Sequence, residues 1–140
     1  MKSKLFVIGK PIKHSRSPTI HNFWIEKYSL NARYNKLEVD KTEIKDLIQK
    51  VRDGKIKGLN ITIPYKKIMI DFVDEVEESV IRSNAINTVY RAKDKLIGAN
   101  TDGIGFISSL KKDLRFNINS KTIDDFQKKI QSRIEKIWSN

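Results

Sequence analysis

Short runs of β-forming residues alternate along this 140-residue chain with segments whose apolar residues recur at helical spacing. The first run, residues 4–9, is bounded by Gly9 and Pro11, and a helical pattern with Ser17 as its N-cap and Pro18 at its first helical position follows. Strands that alternate with helices are typical of an α/β protein. We therefore expect a three-layer α/β sandwich, a mainly parallel sheet with helices on both faces.

The middle of the chain continues this alternation. Asp40 and Glu43 form a capping-box pattern ahead of a helix that ends at Gly54. Alternating residues on both sides of 93–95 predict a hairpin, which makes one edge of the sheet antiparallel. The remaining predictions are strands at residues 33–39, 59–63, 86–91 and 96–100, and helices at residues 66–76, 77–82 and from residue 103.

Two of the predicted helices carry apolar stripes. Their apolar residues recur three and four positions apart, so each helix has one face that we expect to pack against the sheet. The stripe of the first helix is Ile20, Phe23, Trp24 and Tyr28, and that of the second is Ile44, Leu47, Ile48 and Val51.

Composition narrows the classes of function. The formal net charge is +11, from 28 basic and 17 acidic residues. The lysines are spread along the whole chain, which is typical of a solvated surface, so we expect no nucleic-acid partner. A diffuse positive field still attracts an anionic substrate.

The sequence has no apolar stretch of about 18 residues, so we expect no membrane span. Cysteine is absent, and we expect a cytoplasmic protein without a bound metal.

Polar side chains cluster where predicted strands give way to loops. In open α/β sheets the crevice at the carboxyl ends of the strands is the usual ligand site. Ser15 and Ser17 lie near a helix N-terminus, where two hydroxyls can donate hydrogen bonds to a carboxylate. The alternative for Ser17 is that it only caps the helix. Asn60 and Thr62 lie on one side of a strand, because side chains alternate along it.

Three further residues are candidates for polar chemistry. Lys66 follows a turn at Pro64 that can aim it into a cleft, where a lysine beside a substrate hydroxyl acts as a general acid or base. The alternative is an ordinary surface lysine. The amide of Asn87 suits a polyol, because it both donates and accepts hydrogen bonds. Asp102 either accepts hydrogen bonds from substrate hydroxyls or caps the helix that begins at Gly103.

Taken in order, the segments SRSPTIHN, NITIPYK, NAINT and NTDGIGF resemble the motif series of the shikimate dehydrogenase family. The resemblance extends over residues 4–110. It implies an oxidoreductase that interconverts 3-dehydroshikimate and shikimate with NADP in aromatic amino-acid biosynthesis. Two departures from the pattern are visible: Tyr65 stands where a histidine is common, and Asn84 replaces a frequent glycine. Asparagine accepts a left-handed backbone at low cost, so we expect Asn84 to be tolerated.

The resemblance also implies a role for each matched residue. Ser15 and Ser17 would bind the substrate carboxylate. Lys66 and Asp102 would form the catalytic pair, in which Lys66 passes the proton at the oxygen that is oxidised or reduced and Asp102 orients the ammonium. The residues that would hydrogen-bond the ring substituents are Asn60, Thr62, Asn87 and Asp102.

In this family NADP is held by a second, Rossmann-type domain. Residues 103–105 begin like a GxGxxG fingerprint but lack its third glycine, so we expect no cofactor-binding residues here and no hydride transfer by this chain alone. We expect residues 1–121 to form the substrate-binding domain and residues 122–140 to form a helix that packs on it. By resemblance, Gln127 or Gln131 is a further candidate for substrate contact.

Two other functions stay open at this point. The chain can be a non-catalytic interaction module that keeps the fold and presents its basic face to an acidic partner. It can also be a relative that acts on quinate as well as shikimate. The sequence leaves the oligomeric state open too, a homodimer included.

Overall fold

The computed structural model describes residues 2–112. The chain divides into two compact units, with the division between residues 103 and 104. The strands, numbered in chain order, are β1 (Ser3–Gly9), β2 (Ala32–Glu38), β3 (Gly58–Ile61), β4 (Glu75–Val76), β5 (Thr88–Ala92) and β6 (Lys95–Ala99). The α-helices are α1 (Ser17–Lys27), α2 (Ile44–Arg52), α3 (Glu78–Ser83) and α4 (Asp102–Lys112), and two 3₁₀-helices span Lys41–Glu43 and Ile68–Phe72.

The six strands form one mixed sheet in the order β2-β1-β3-β5-β6-β4. β1 pairs in parallel with β2 and with β3, and β4 pairs in parallel with β6. β5 runs antiparallel to both β3 and β6, and with β6 it forms the predicted hairpin. The α/β prediction is confirmed. The hairpin does not form the outer edge, however, because β4 adds a further strand beyond β6.

The segment at residues 66–76, predicted as a helix, contains only a short 3₁₀-helix and ends in β4. Asp74 accounts for the difference. Its backbone N–H donates to the carbonyl of Leu96 at 3.0 Å, and its carboxylate accepts from the N–H of Leu96 at 2.7 Å. Arg52 donates twice to the same carboxylate, at 2.7 and 3.0 Å. These contacts hold the chain extended beside β6. The pattern of apolar residues within the segment could not predict them, because the partners lie far away in the sequence. Most other predicted bounds differ from the observed ones by one or two residues.

Apolar side chains pack on both faces of the sheet. Val7 and Ile8, neighbours in β1, belong to different clusters, because successive side chains of a strand point to opposite faces. The cluster that contains Ile8 includes the apolar stripe of α2. The cluster that contains Val7 includes Tyr34 of β2, and the half-buried Ile25 of α1 packs against it. Helices therefore cover both faces, as predicted.

The prediction for α2 is confirmed in detail. Asp40 and Glu43 form the capping box, in which the carboxylate of Glu43 accepts a hydrogen bond from the N–H of Asp40 at 2.6 Å. The helix is followed by Gly54, whose φ of 74° lies in the left-handed region that favours glycine. The four stripe residues that were expected to be buried, Ile44, Leu47, Ile48 and Val51, are all buried.

The prediction for α1 is wrong about the face that the helix buries. Asn22 donates to the carbonyl of Tyr34 at 2.8 Å and accepts from its N–H at 3.0 Å, so it holds the backbone of β2 at both hydrogen-bonding groups. This pair fixes the rotation of the helix. The half-buried residues of α1 are Ser17, Pro18, His21, Asn22 and Ile25. The expected stripe faces away from the sheet, with exposed fractions of 56% for Ile20 and Phe23, 43% for Trp24 and 62% for Tyr28.

Within residues 2–112, no helix combines the length and the apolar character needed to cross a membrane. The same part of the chain contains no group of three or more His, Cys, Asp or Glu side chains arranged to hold a metal ion. The predicted boundary between residues 121 and 122, the predicted helix at residues 122–140, and both Gln127 and Gln131 lie outside the described residues.

Candidate functional site

Strand register brings three of the four motifs together at one end of the strands. Asn60 in β3 lies opposite Thr88 in β5, and Thr88 lies opposite Ala99 in β6. The end of β3, the beginning of β5 and the end of β6 therefore lie side by side. Asn60, Asn87 and Asp102 are brought together by this arrangement, although the sequence separates them widely.

Lys66 and Asp102 form an ion pair at this end of the strands. The ammonium Nζ lies 2.6 Å from Oδ2 of Asp102, and the side chains are 30% and 55% exposed. The carbonyl of Lys66 accepts a hydrogen bond from the N–H of Ile86 at 2.8 Å, which fixes the loop that carries the lysine. A lysine ammonium has three donors. One is used by Asp102, and the other two have no partner among residues 2–112.

The surroundings of Asp102 keep its carboxylate ionised. Partial burial by itself raises the pKa of the Asp102 carboxyl, but hydrogen bonds from Lys66 and Asn87 and the charge of Lys66 outweigh it, and the pKa is lowered. Both carboxylate oxygens accept hydrogen bonds, Oδ2 from Lys66 and Oδ1 from Asn87 at 2.9 Å. Asp102 therefore stabilises the ammonium, and its side chain is bonded to these two residues instead of capping α4.

Asn87 is the centre of the network. It is 8% exposed, and its amide nitrogen donates to Oδ1 of Asp102 and to the hydroxyl of Thr101, both at 2.9 Å. Its amide oxygen accepts from the Thr101 N–H at 3.0 Å and from the Thr88 hydroxyl at 2.9 Å. The whole amide is bonded within the protein. In this arrangement Asn87 positions Asp102, and contact with a ligand would require it to exchange one of these bonds.

Asn60 is similarly engaged. Its amide nitrogen donates to the Thr88 hydroxyl at 3.0 Å and to the carbonyl of Asn87 at 3.2 Å. Its amide oxygen accepts from the hydroxyl of Tyr34 at 2.7 Å. Asn60 thus connects β2 and β5 across the end of the sheet.

Ser15 and Ser17 lie in the loop and first turn before α1. The N-cap of the helix is Arg16, without a side-chain cap, and Ser17 is the first helical residue. The predictions that Ser17 is the N-cap and that Pro18 is the first helical residue are therefore both wrong by one position. The N–H of Ser17 donates to the hydroxyl oxygen of Ser15 at 3.3 Å. The side chain of Ser17 interacts with the hydroxyl of Tyr34, which links both serines to the network around Asn60.

Thr62 is the predicted site residue that this network does not include. It lies after the end of β3, where its N–H donates to the carbonyl of Ile8 at 2.9 Å. Its methyl group packs against Gly9, where an added Cβ would lie only 2.5 Å from it. Among residues 2–112 the Thr62 hydroxyl has no hydrogen-bond partner, so it is available to a ligand.

Two residues of the site were assigned no role in the sequence analysis. Tyr34 reads as an ordinary core position in β2, but its hydroxyl joins Asn60 and Ser17. His21 stacks on the Tyr34 ring, with centroids 4.1 Å apart and planes 11° from parallel. His21 and its neighbour Asn22 both lie within the SRSPTIHN motif, which was the available signal. Spacing alone gave no reason to pair that motif with a tyrosine in the next strand.

The glycines at residues 103 and 105 do not form a dinucleotide cradle. Both lie inside α4, whereas the fingerprint requires a tight turn between a strand and a helix. An added Cβ at Gly103 would meet no atom of residues 2–112 within 4 Å. The residues present from 2 to 112 thus do not fit the pyrophosphate of NADP in the way that the fingerprint provides.

Comparison with known proteins gives consistent matches over this region. The family model of the shikimate dehydrogenase substrate binding domain matches residues 7–89. A shikimate dehydrogenase (NADP(+)) from Pelagibacter ubique is 53% identical over 112 residues, which are 80% of this chain and 42% of that protein. The chain therefore spans about 40% of the length of the curated relatives it matches.

Solved structures agree with the sequence matches. The crystal structure of shikimate dehydrogenase from Aquifex aeolicus superimposes with a TM-score of 0.74 at 40% identity, over 79% of this chain and 41% of that one. Shikimate 5-dehydrogenase from Thermus thermophilus, in complex with NADP(H) and shikimate, gives a TM-score of 0.73 at 32% identity, over 78% and 41%. With its fold, its four ordered motifs and the family match over more than half its length, this chain belongs to the shikimate dehydrogenase substrate-binding domain family.

Proposed function

We propose that the site at the ends of β3 and β6 binds shikimate and 3-dehydroshikimate. The observation that carries this proposal is the Lys66–Asp102 pair, in which the ammonium is held at 2.6 Å and keeps two unused donors among the described residues. An ammonium of this kind can donate to a ring hydroxyl or to a carbonyl oxygen. The hydroxyl of Thr62, which has no partner in the part of the chain that the structure describes, offers a second contact near the same strand end.

The two ends of the site fit the two ends of the substrate. Ser15 and Ser17 are the proposed partners of the substrate carboxylate, because they lie at the beginning of α1, where the helix dipole favours an anion. Lys66 and Asp102 are the proposed catalytic pair at the ring. The residues proposed to hydrogen-bond the ring substituents are Asn60, Thr62, Asn87 and Asp102.

The proposed chemical role of this chain is proton transfer. In the reducing direction, the Lys66 ammonium gives a proton to the carbonyl oxygen of 3-dehydroshikimate, and Asp102 remains a carboxylate that holds the lysine in place. The hydride for the carbonyl carbon would come from NADPH, the reduced form of the cofactor in the relatives' name, which becomes NADP⁺. The described residues offer no glycine-rich turn for a dinucleotide. We therefore propose that this chain binds the substrate and transfers the proton but does not transfer the hydride.

A ligand titration tests the binding proposal. Shikimate is added to the ¹⁵N-labelled chain up to millimolar concentration, and amide shifts are followed at Ser15, Lys66 and Asp102. Lys66→Ala should weaken binding about tenfold to a hundredfold, because a hydrogen bond from a charged donor contributes roughly 1.5–3 kcal/mol. The matched control is Lys67→Ala, because Lys67 is the exposed neighbour and its ammonium has no partner among residues 2–112. Absence of shifts around all three residues in the unmodified chain would reject the proposal.

An activity assay tests whether this chain binds shikimate without catalysing hydride transfer. The purified chain is incubated with shikimate and NADP⁺, and formation of NADPH is followed by absorbance. We expect binding without turnover. Robust turnover by this chain alone would show that it also performs the hydride transfer and would contradict that part of the proposal.

The remaining expectations are proposals of the same kind. We propose a cytoplasmic location, which the absence of cysteine in the sequence supports. We propose a small-molecule substrate and no nucleic-acid partner, because the basic residues are dispersed along the chain. Sedimentation analysis would decide between a monomer and a homodimer.

A further inference from the structure

Four hydrogen bonds connect Tyr34 to Asp102, and all of them donate in the same direction. The Tyr34 hydroxyl donates to the Asn60 oxygen at 2.7 Å, and the Asn60 nitrogen donates to the Thr88 hydroxyl at 3.0 Å. The Thr88 hydroxyl donates to the Asn87 oxygen at 2.9 Å, and the Asn87 nitrogen donates to Oδ1 of Asp102 at 2.9 Å. The series ends on the carboxylate that pairs with Lys66. Hydrogen bonds arranged in series polarise one another.

The first donor of this series is firmly held. Tyr34 is 2% exposed, its ring stacks on His21, and its backbone is bonded at both groups by Asn22. Burial raises the pKa of the Tyr34 hydroxyl well above its ordinary range, although the interaction with Ser17 lowers it, so the hydroxyl keeps its proton at neutral pH and remains a donor. A tyrosine that only filled space in the core would have no need of a hydroxyl at this position.

We infer that Tyr34 is a positioning residue of the site: its hydroxyl begins a one-way relay of hydrogen bonds through Asn60, Thr88 and Asn87 that strengthens the donor reaching the Asp102 carboxylate. As far as substrate is concerned, this inference rests on the proposed function. The relay itself is a property of the ligand-free chain and can be measured without substrate.

The direction of the relay matters because asparagine amides have two distinct ends. With Tyr34 donating, the oxygen of Asn60 faces β2 and its nitrogen faces Thr88. Backbone groups hold these ends as well: the Asn60 nitrogen donates to the carbonyl of Asn87 at 3.2 Å, and the Asn87 oxygen accepts from the N–H of Thr101 at 3.0 Å. Without the Tyr34 donor both amides therefore keep their orientation, but the Asn60 oxygen loses its donor and the series loses its first polarising member. The hydrogen bond that Asn87 donates to Asp102 would then weaken.

The test is an NMR titration of the Asp102 side-chain carboxyl carbon in the ligand-free chain. In Tyr34→Phe, the pKa of Asp102 should rise toward its ordinary value, because the hydrogen bond from Asn87 weakens. Thr88→Val interrupts the relay at its middle with a residue of the same shape, and it should give a rise in the same direction. Lys66, the charged side chain that acts on Asp102 within residues 2–112, is unchanged in both variants.

A double variant separates a relay from two unrelated losses. If Tyr34 acts through Thr88, adding Tyr34→Phe to Thr88→Val should produce no further change in the titration. The matched control is Tyr65→Phe. Tyr65 is also buried, at 4% exposure, and its hydroxyl donates to the carbonyl of Val39 at 2.6 Å outside the relay. This control should leave the titration of Asp102 unchanged.

The outcomes are distinct. An Asp102 titration that is identical in the unmodified chain, Tyr34→Phe and Thr88→Val would overturn the inference, as would an equal change in Tyr65→Phe or additive changes in the double variant. If the unmodified chain binds shikimate, Tyr34→Phe should weaken that binding about threefold to tenfold, the range that one lost hydrogen bond implies. If the unmodified chain does not bind shikimate, the proposed function fails, while the titration still decides whether the relay exists.

Discussion

Lys66 and Asp102 are 36 residues apart in the sequence, and the ammonium of one lies 2.6 Å from the carboxylate of the other. Two backbone hydrogen bonds make this possible. The N–H of Ile86 donates to the carbonyl of Lys66 at 2.8 Å, and the N–H of Asn87 donates to the carbonyl of Ala99 at 3.0 Å. The segment before β5 therefore lies between the two loops and holds both of them.

Replacement of Asp102 by asparagine should weaken shikimate binding. The amide keeps the size of the side chain but removes the negative charge that holds the Lys66 ammonium, and we expect a loss of affinity of about tenfold, near 1.4 kcal/mol. Isothermal titration calorimetry at pH 7 measures the change. Asp71→Asn is the control, because Asp71 is exposed and forms no ion pair within residues 2–112. Equal affinity in Asp102→Asn and the unmodified chain would remove the ion pair from the proposed site.

The Arg52–Asp74 pair should make the free energy of unfolding depend on pH in the acid range. The hydrogen bonds from Arg52, followed by that from the Leu96 N–H, lower the pKa of Asp74 from 3.8 to about 2 in the folded protein. A carboxyl whose pKa is depressed by folding stabilises the folded state above its unfolded pKa and loses this contribution as the pH falls through its folded pKa. The contribution of Asp74 should therefore be complete above about pH 4 and decline between pH 4 and pH 2.

Urea unfolding of Asp74→Asn against the unmodified chain tests this dependence. At pH 6 the variant should unfold at a lower urea concentration, and the difference between the two proteins should shrink as the pH is lowered below 4. Asp71→Asn serves as the control, since the structure shows no ion pair for Asp71 within residues 2–112. A difference that stays constant from pH 6 to pH 2.5 would contradict the assignment.

Asn22 should contribute more to stability than the aromatic residues beside it. Asn22→Ala removes both hydrogen bonds to the Tyr34 backbone and should lower the free energy of unfolding by about 1–3 kcal/mol. Ile20→Ser and Phe23→Ser alter exposed side chains and should change it by no more than about 0.5 kcal/mol. Chemical denaturation of the three variants gives the comparison. A larger loss in Phe23→Ser than in Asn22→Ala would mean that α1 buries its aromatic face after all.

Gly9→Ala should disturb the loop that carries Thr62. A Cβ at this position would lie 2.5 Å from the Thr62 methyl group and 2.8 Å from the carbonyl oxygen of Ile63, so the loop must move. Overpacking of this kind costs about 1–3 kcal/mol. The same substitution at Gly103, where an added Cβ meets nothing within 4 Å, should have no such cost. Thermal unfolding of the two variants measures the difference, and equal melting temperatures would show that the loop adapts freely.

The sequence by itself determined the fold class and most of the elements. The capping box and the apolar stripe of α2 are local patterns, since both depend on residues three and four positions apart, and both are present as predicted. The hairpin of β5 and β6 was also found from alternation around a short turn. Asn84 has the left-handed backbone that asparagine tolerates, with a φ of 50°.

Tertiary structure decided which surfaces meet. The apolar periodicity of α1 predicted the wrong buried face, because two hydrogen bonds between Asn22 and the backbone of Tyr34 hold the helix with its apolar stripe away from the sheet. Periodicity describes where residues lie around one helix. It carries no information about hydrogen bonds from that helix to a strand elsewhere in the sequence. In the same way, β4 arises from contacts of Asp74 with Leu96 and Arg52, which lie 22 residues away on either side.

The site shows the same division. The polar residues that follow the strands could be selected from the sequence, because the ends of strands are where α/β sheets bind ligands. That Asn60, Asn87 and Asp102 belong to one hydrogen-bond network depends on the register of β3, β5 and β6, and that Tyr34 begins it depends on the parallel pairing of β1 and β2. Residue type fixes which hydrogen bonds a side chain can make, whereas the packing of distant segments fixes which of them it does make.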